Sequence, residues 1–149
     1  MLLNDEDKKH FKEFGYLIKR GVIDSERIEA ALDVIWENIE EDRNNPDTCG
    51  GKGYRVAPVG GEDALKRIVY SDPVFSMAEE LVGKGKLHSD GGAGPHLGFP
   101  NSGADWNPPK QGHLDGYHTP SNGVPKGVVG SFTLGATVYL DEVPPKGGG

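Results

Sequence analysis

Gln111-Gly112-His113-Leu114-Asp115-Gly116-Tyr117-His118 is the stretch on which the reading of this chain turns. Side chains two residues apart on an extended backbone point to the same face, so His113 and Asp115 present an imidazole and a carboxylate together. That pair supplies two legs of the two-histidine, one-carboxylate set that holds non-haem Fe(II) and leaves coordination positions open. Gln111 shares their face on a regular strand. His118 is five residues past His113 and would face the other way on the same strand. The plainer alternative for His113 and Asp115 is a hydrogen-bonded polar pair in a loop-rich β protein.

Around this segment the chain from Gly83 onward reads as short extended runs between clusters of Gly, Pro, Asn and Asp. Strands are expected near Pro95–Phe99, Gln111–Gly116 and Ser131–Leu140. The last alternates, with Phe132, Leu134, Ala136, Val138 and Leu140 on one face and Ser131, Thr133, Thr137 and Tyr139 on the other. Such a pattern predicts a half-buried antiparallel strand with one polar face.

The first third has a helical pattern. Asn4 is placed to cap a helix whose first turn carries Asp5, Glu6 and Asp7, with Gly15 as its stop. A short extended piece, Tyr16–Lys19, follows. Asp24 then caps a longer helix expected to reach about Arg43, with Ile28, Leu32, Ile35 and Ile39 at helical spacing and Ala31 and Trp36 beside them. Asn44-Asn45-Pro46 ends it. Pro46–Gly61 reads as a plain glycine-rich loop, because Gly50-Gly51-Lys52-Gly53 lacks the Gly-Lys-Ser/Thr end of a phosphate-binding loop. Short helices are expected over Ala64–Val69 and from Asp72-Pro73 to Gly83, the second with Asp72 as cap, Pro73 in its first turn, and Val74, Ala78, Leu81 and Val82 inward.

A chain of 149 residues is long enough for one domain with a core, and no linker or repeat divides it. Gly 23 and Pro 11, concentrated after Cys49, separate a helical part (about 1–83) from a β part (about 84–149). A net charge of -7 argues against nucleic acid or an anionic membrane as the main partner. The single cysteine, Cys49, cannot form an internal disulfide and has no His or Cys at metal spacing, so it reads as a loop thiol in a reducing compartment. No window approaches the roughly 18 apolar residues of a membrane span, and the acidic start, Met1–Asp7, is unlike a signal peptide. A cytoplasmic protein is expected.

The ordered set of elements resembles the phytanoyl-CoA dioxygenase family. It comprises the Phe11–Ile23 element, the long helix, a strand ending in Phe99-Pro100, the His-x-Asp strand, and an extended strand running into the Leu-Asp-x-x-x-x-x-Gly-Gly stretch from Leu140 to Gly148. The resemblance covers nearly the whole chain. Each element is weak alone, and their order carries the likeness. It implies an α+β architecture, a double-stranded β-helix (jelly roll) with helices packed on its larger sheet. It also implies Fe(II), 2-oxoglutarate and O2, with oxidative decarboxylation of the co-substrate and hydroxylation of a small organic substrate. On this pattern His113 and Asp115 are the first two iron ligands, and Gln111 and Thr137 are candidate co-substrate contacts. Related halogenases carry a small residue in place of the carboxylate, so Asp115 favours hydroxylation.

The family's distal histidine, and the arginine that forks onto the co-substrate's far carboxylate, follow the Gly-Gly turn. Residues 1–149 end at Lys146-Gly147-Gly148-Gly149, before either, so a jelly roll incomplete at its C-terminus is expected. Lys110 and Lys126 are the nearest other cations, and neither reproduces a bidentate fork. His96 reads as a partnered strand histidine, and His10 and His88 as surface residues. Two other functions fit the architecture: a catalytically silent jelly-roll binding module, and a cupin-like metal isomerase or epimerase. An unpaired edge along Ser131–Leu140 would invite self-association.

Overall fold

Asn4 starts the first helix, α1 (Asp5–Phe14), through a reciprocal capping box. Its side-chain oxygen accepts the Asp7 N–H at 2.8 Å, while the Asp7 carboxylate accepts the Asn4 N–H at 3.1 Å. Gly15, at φ 78°, closes the helix with its N–H on the Phe11 carbonyl at 2.8 Å. This computed structural model describes residues 1–88, 91–100, 123–130 and 134–143. Ahead of α1, Leu3 is fully buried, and the backbone N–H of Leu2 donates to Glu80 at 2.6 Å.

The second helix, α2 (Ser25–Glu37), is capped by Asp24, which accepts the Arg27 N–H at 2.9 Å. It stops well short of the expected Arg43. Asn38 takes the C-cap, and its side-chain nitrogen donates to the Val34 carbonyl at 2.9 Å. Glu37, Glu40, Glu41 and Asp42 would otherwise crowd carboxylates onto the negative end of the helix dipole. Arg43 instead turns back to Glu29 and Asp33, at 2.8 and 3.1 Å.

The segment expected as a plain loop, Pro46–Gly61, contains a single turn of 3-10 helix (Pro46–Thr48) and a strand, β1 (Tyr54–Val56). This is a correction to the sequence reading. Three residues are too few to show periodicity, and β1 exists because a distant partner pairs with it. That partner is β2 (His96–Gly98), inside the strand expected near Pro95–Phe99. The pair is antiparallel, with Tyr54 opposite Gly98, Arg55 opposite Leu97 and Val56 opposite His96. Backbone bonds extend it at both ends, from Ala57 N–H to the Pro95 carbonyl and from Phe99 N–H to the Gly53 carbonyl, at 2.9 and 3.1 Å.

Between the strands lie α3 (Asp63–Val69), as expected to within a residue, and α4 (Val74–Val82). In α4 the N-cap is Pro73 rather than Asp72. The Asp72 carboxylate is engaged by the Ser76 hydroxyl and does not cap the backbone. Gly83 ends the helix, as expected.

The core joins Ile23, Ala31, Ile35, Ala57, Leu65 and Ile68. The apolar stripe of α2 is centred on Ala31, at 0% exposure, and Ile35, with Ile28 and Ile39 at its margins. Its main helical neighbour is α3. The small Ala31 side chain allows that close approach. Leu97, Val138 and Leu140 pack against the same cluster.

The described part of the expected Ser131–Leu140 strand, residues 134–140, carries no ladder. Alternation does persist there: Val138 and Leu140 are half-buried, while Thr137 and Tyr139 are exposed. A hydrophobic pattern assigns faces, but a strand also needs a partner, and none of the described residues supplies one.

Three carboxyls are held below their ordinary range. The Lys19 ammonium and the Asn4 N–H lower Asp7. The Arg27 backbone N–H, then its guanidinium, lowers Asp24. The Leu2 N–H, with Lys8 and Leu3, lowers Glu80. Each group therefore stabilises the fold above its unfolded pKa, and the contribution is lost as pH falls through the lower folded value. The urea midpoint is expected to fall as pH is lowered through and below the ordinary carboxylate range, and Glu80→Gln to flatten part of that fall. Parallel urea titrations of the two proteins check this.

Candidate metal centre

The expected iron ligands His113 and Asp115, and their neighbours Gln111 and His118, lie outside the described residues. What the structure does describe is the frame from which that segment departs. β2 leads directly into Phe99 and Pro100, and both are fastened. Besides the Phe99 bond to Gly53, the Pro100 carbonyl accepts the Gly51 N–H at 2.9 Å. The glycine-rich run before β1 therefore serves as backbone partner to the stretch that enters residue 101. Gly51 and Gly53 both have positive φ, 76° and 65°, which side chains with a Cβ rarely adopt.

Behind this stretch lies a polar cluster that sequence reasoning missed. Glu41, just past α2, has a side chain at 0% exposure. One carboxylate oxygen is paired with the Arg55 guanidinium from the inward face of β1. The other lies 3.8 Å from Lys52 Nζ and has no hydrogen bond. The Arg55 guanidinium also sits 5.7 Å from the Phe99 ring centroid, and Phe99 is in turn 6.1 Å from Trp36. A carboxylate, a guanidinium and two aromatic rings thus tie α2, β1 and the end of β2 together. In the sequence, Glu41 falls inside the helix expected to reach about Arg43, with nothing to mark it as buried. The available signal was Arg55, a charge at the inward position of a short alternating Tyr-Arg-Val run.

His96 lies on the exposed face of β2, with its Nδ1 hydrogen-bonded to the Tyr54 hydroxyl, as a partnered strand histidine. His10 contacts Phe14 at a tilt and Tyr16 edge-on, with centroids at 4.7 and 4.9 Å, and His88 is exposed. Thr137 is exposed, beside the half-buried Val138. Cys49 is a free thiol near the Thr48 hydroxyl, at 3.9 Å. Among the described residues, no group of three His, Cys, Asp or Glu could hold a metal ion. Among them too, no helix is long and apolar enough to cross a membrane.

Comparison of the chain with protein-family models, with curated proteins and with solved structures finds no match.

Proposed function

We propose that this chain carries two ligands, His113 and Asp115, of a non-haem Fe(II) centre in a 2-oxoglutarate-dependent oxygenase acting on a small organic substrate. The observation that carries the reading is the His-x-Asp spacing on an expected strand, set in the family order of elements. The jelly-roll architecture belongs to the same proposal, and so does a cytoplasmic location. One imidazole nitrogen and one carboxylate oxygen are the donor types that suit Fe(II). When bound, the iron and its 2-oxo acid would supply the oxidative chemistry. This chain's residues would hold and orient them: His113 and Asp115 as ligands, with Gln111 and Thr137 as candidate contacts for the co-substrate.

Among the described residues, His96 and His10 are engaged with aromatic partners, so the ligand pair is sought at His113 and Asp115. Two protein ligands chelate less than three, so anaerobic titration should show weak Fe(II) binding by the 149-residue chain. His113→Ala and Asp115→Ala should each weaken that binding by at least about tenfold, with unchanged circular dichroism. Binding that is indifferent to both substitutions would overturn the assignment.

A further inference from the structure

We propose that the cleft between α1 and the segment that follows it binds a small organic cation of the alkylated-ammonium class. The proposal stands apart from the iron reading.

The cleft is a product of the local sequence. Gly15, at φ 78°, ends α1 by turning the chain back, so Tyr16 lands on the helix beside His10. Lys19 then pairs with Asp7 at 3.0 Å and fastens the returning segment along α1. Between helix and segment lies an open space of about 460 Å³, lined by Glu6, Asp7, His10, Tyr16, Leu17 and Ile18. That volume suits a small ligand.

Two features of the lining select the ligand. The first is aromatic. His10, half-buried, contacts Phe14 at a tilt and meets Tyr16 at 89°, with centroids 4.7 and 4.9 Å away. Phe14 and Tyr16 remain 57% and 54% exposed. Rings set at an angle to one another and left open attract alkylated ammonium groups, because the face of each ring carries partial negative charge.

The second feature is charge. The charged side chains of the lining, Glu6 and Asp7, are both carboxylates. Asp7 is neutralised by Lys19, whereas Glu6 is exposed and makes no ion pair among the described residues. The lining therefore disfavours an anion, and among the described residues no group of three ligands could hold a metal ion. Leu17 and Ile18 add an apolar wall. A methylated ammonium meets such a wall at little desolvation cost, and a strongly hydrated cation does not.

The probe is choline, with dimethylbutanol, its uncharged carbon isostere, as control. Titration into the 149-residue chain at about pH 8, where an ordinary imidazole is neutral, should shift the ring proton resonances of His10 and Tyr16. Choline should bind at least about fivefold more tightly than the alcohol. Tyr16→Leu, which keeps apolar bulk and removes the ring, should weaken choline binding by about fivefold and leave the alcohol unchanged. Glu6→Gln should weaken choline binding by about threefold, again without effect on the alcohol. Both positions are exposed, so circular dichroism should not change. Equal binding of choline and the alcohol overturns the proposal. So does choline binding that is indifferent to either substitution, or the absence of any saturable shift up to about 100 mM choline.

Discussion

Arg55→Met is expected to lower the unfolding free energy by about 3 kcal/mol, because it strands the Glu41 carboxylate without its partner in a buried site. Glu41 has no water-facing surface on its side chain, and the Lys52 ammonium at 3.8 Å is too distant for a direct hydrogen bond. The Arg55 side chain is 36% exposed, so water can partly replace the lost guanidinium, which places the cost at the lower end of the range for broken buried pairs. For a chain of this size, the loss should appear as a fall of about 10 °C in the melting temperature. Replacing both partners, Glu41→Met with Arg55→Met, should cost far less than either change alone, since neither charge is then left buried. Thermal or urea unfolding of the three proteins forms the cycle, and equal costs for the single and double variants would show that the pair is not the support described above.

Leu65→Ala is the second large effect. Leu65 is 3% exposed, in the core cluster that joins α3 to Ala31 and Ile35 of α2. Truncation removes buried methyl groups and leaves a cavity between two helices already drawn close by an alanine. A loss of about 3 kcal/mol is expected from urea unfolding. Truncating Val56, on the open face of the β1–β2 pair at 51% exposure, should cost well under about 1 kcal/mol and serves as the control.

Local chemistry was well legible in the sequence. Asn4, Asp24, Gly15 and Gly83 each act within one helical turn, and each does in the structure what its residue type predicts. The apolar stripe of α2 was legible for the same reason, since its period is a property of the helix itself. The missed strand and the missed ion pair involve distant partners, whereas the Asp72 cap and the end of α2 failed locally. β1 was missed because Tyr54–Val56 is a strand only by virtue of His96–Gly98. The end of α2 was overextended because the apolar spacing continues to Ile39 while the acidic run from Glu37 opposes it. Glu41 and Arg55 were missed because the local signal, a charge at the inward position of β1, does not name its partner. For the candidate site, the His-x-Asp spacing suggests a ligand pair, and His113 and Asp115 lie outside the described residues.

The β1–β2 pairing has a kinetic consequence. Its two strands are separated by the whole of α3 and α4, so the ladder cannot form until that intervening chain has been gathered. Helical segments settle within microseconds, whereas a pairing of this sequence separation waits for the loop to close. During folding, α2 and α3 are therefore expected to meet first. The stretch Phe99-Pro100 is then set in place last, against a core that already exists to receive it.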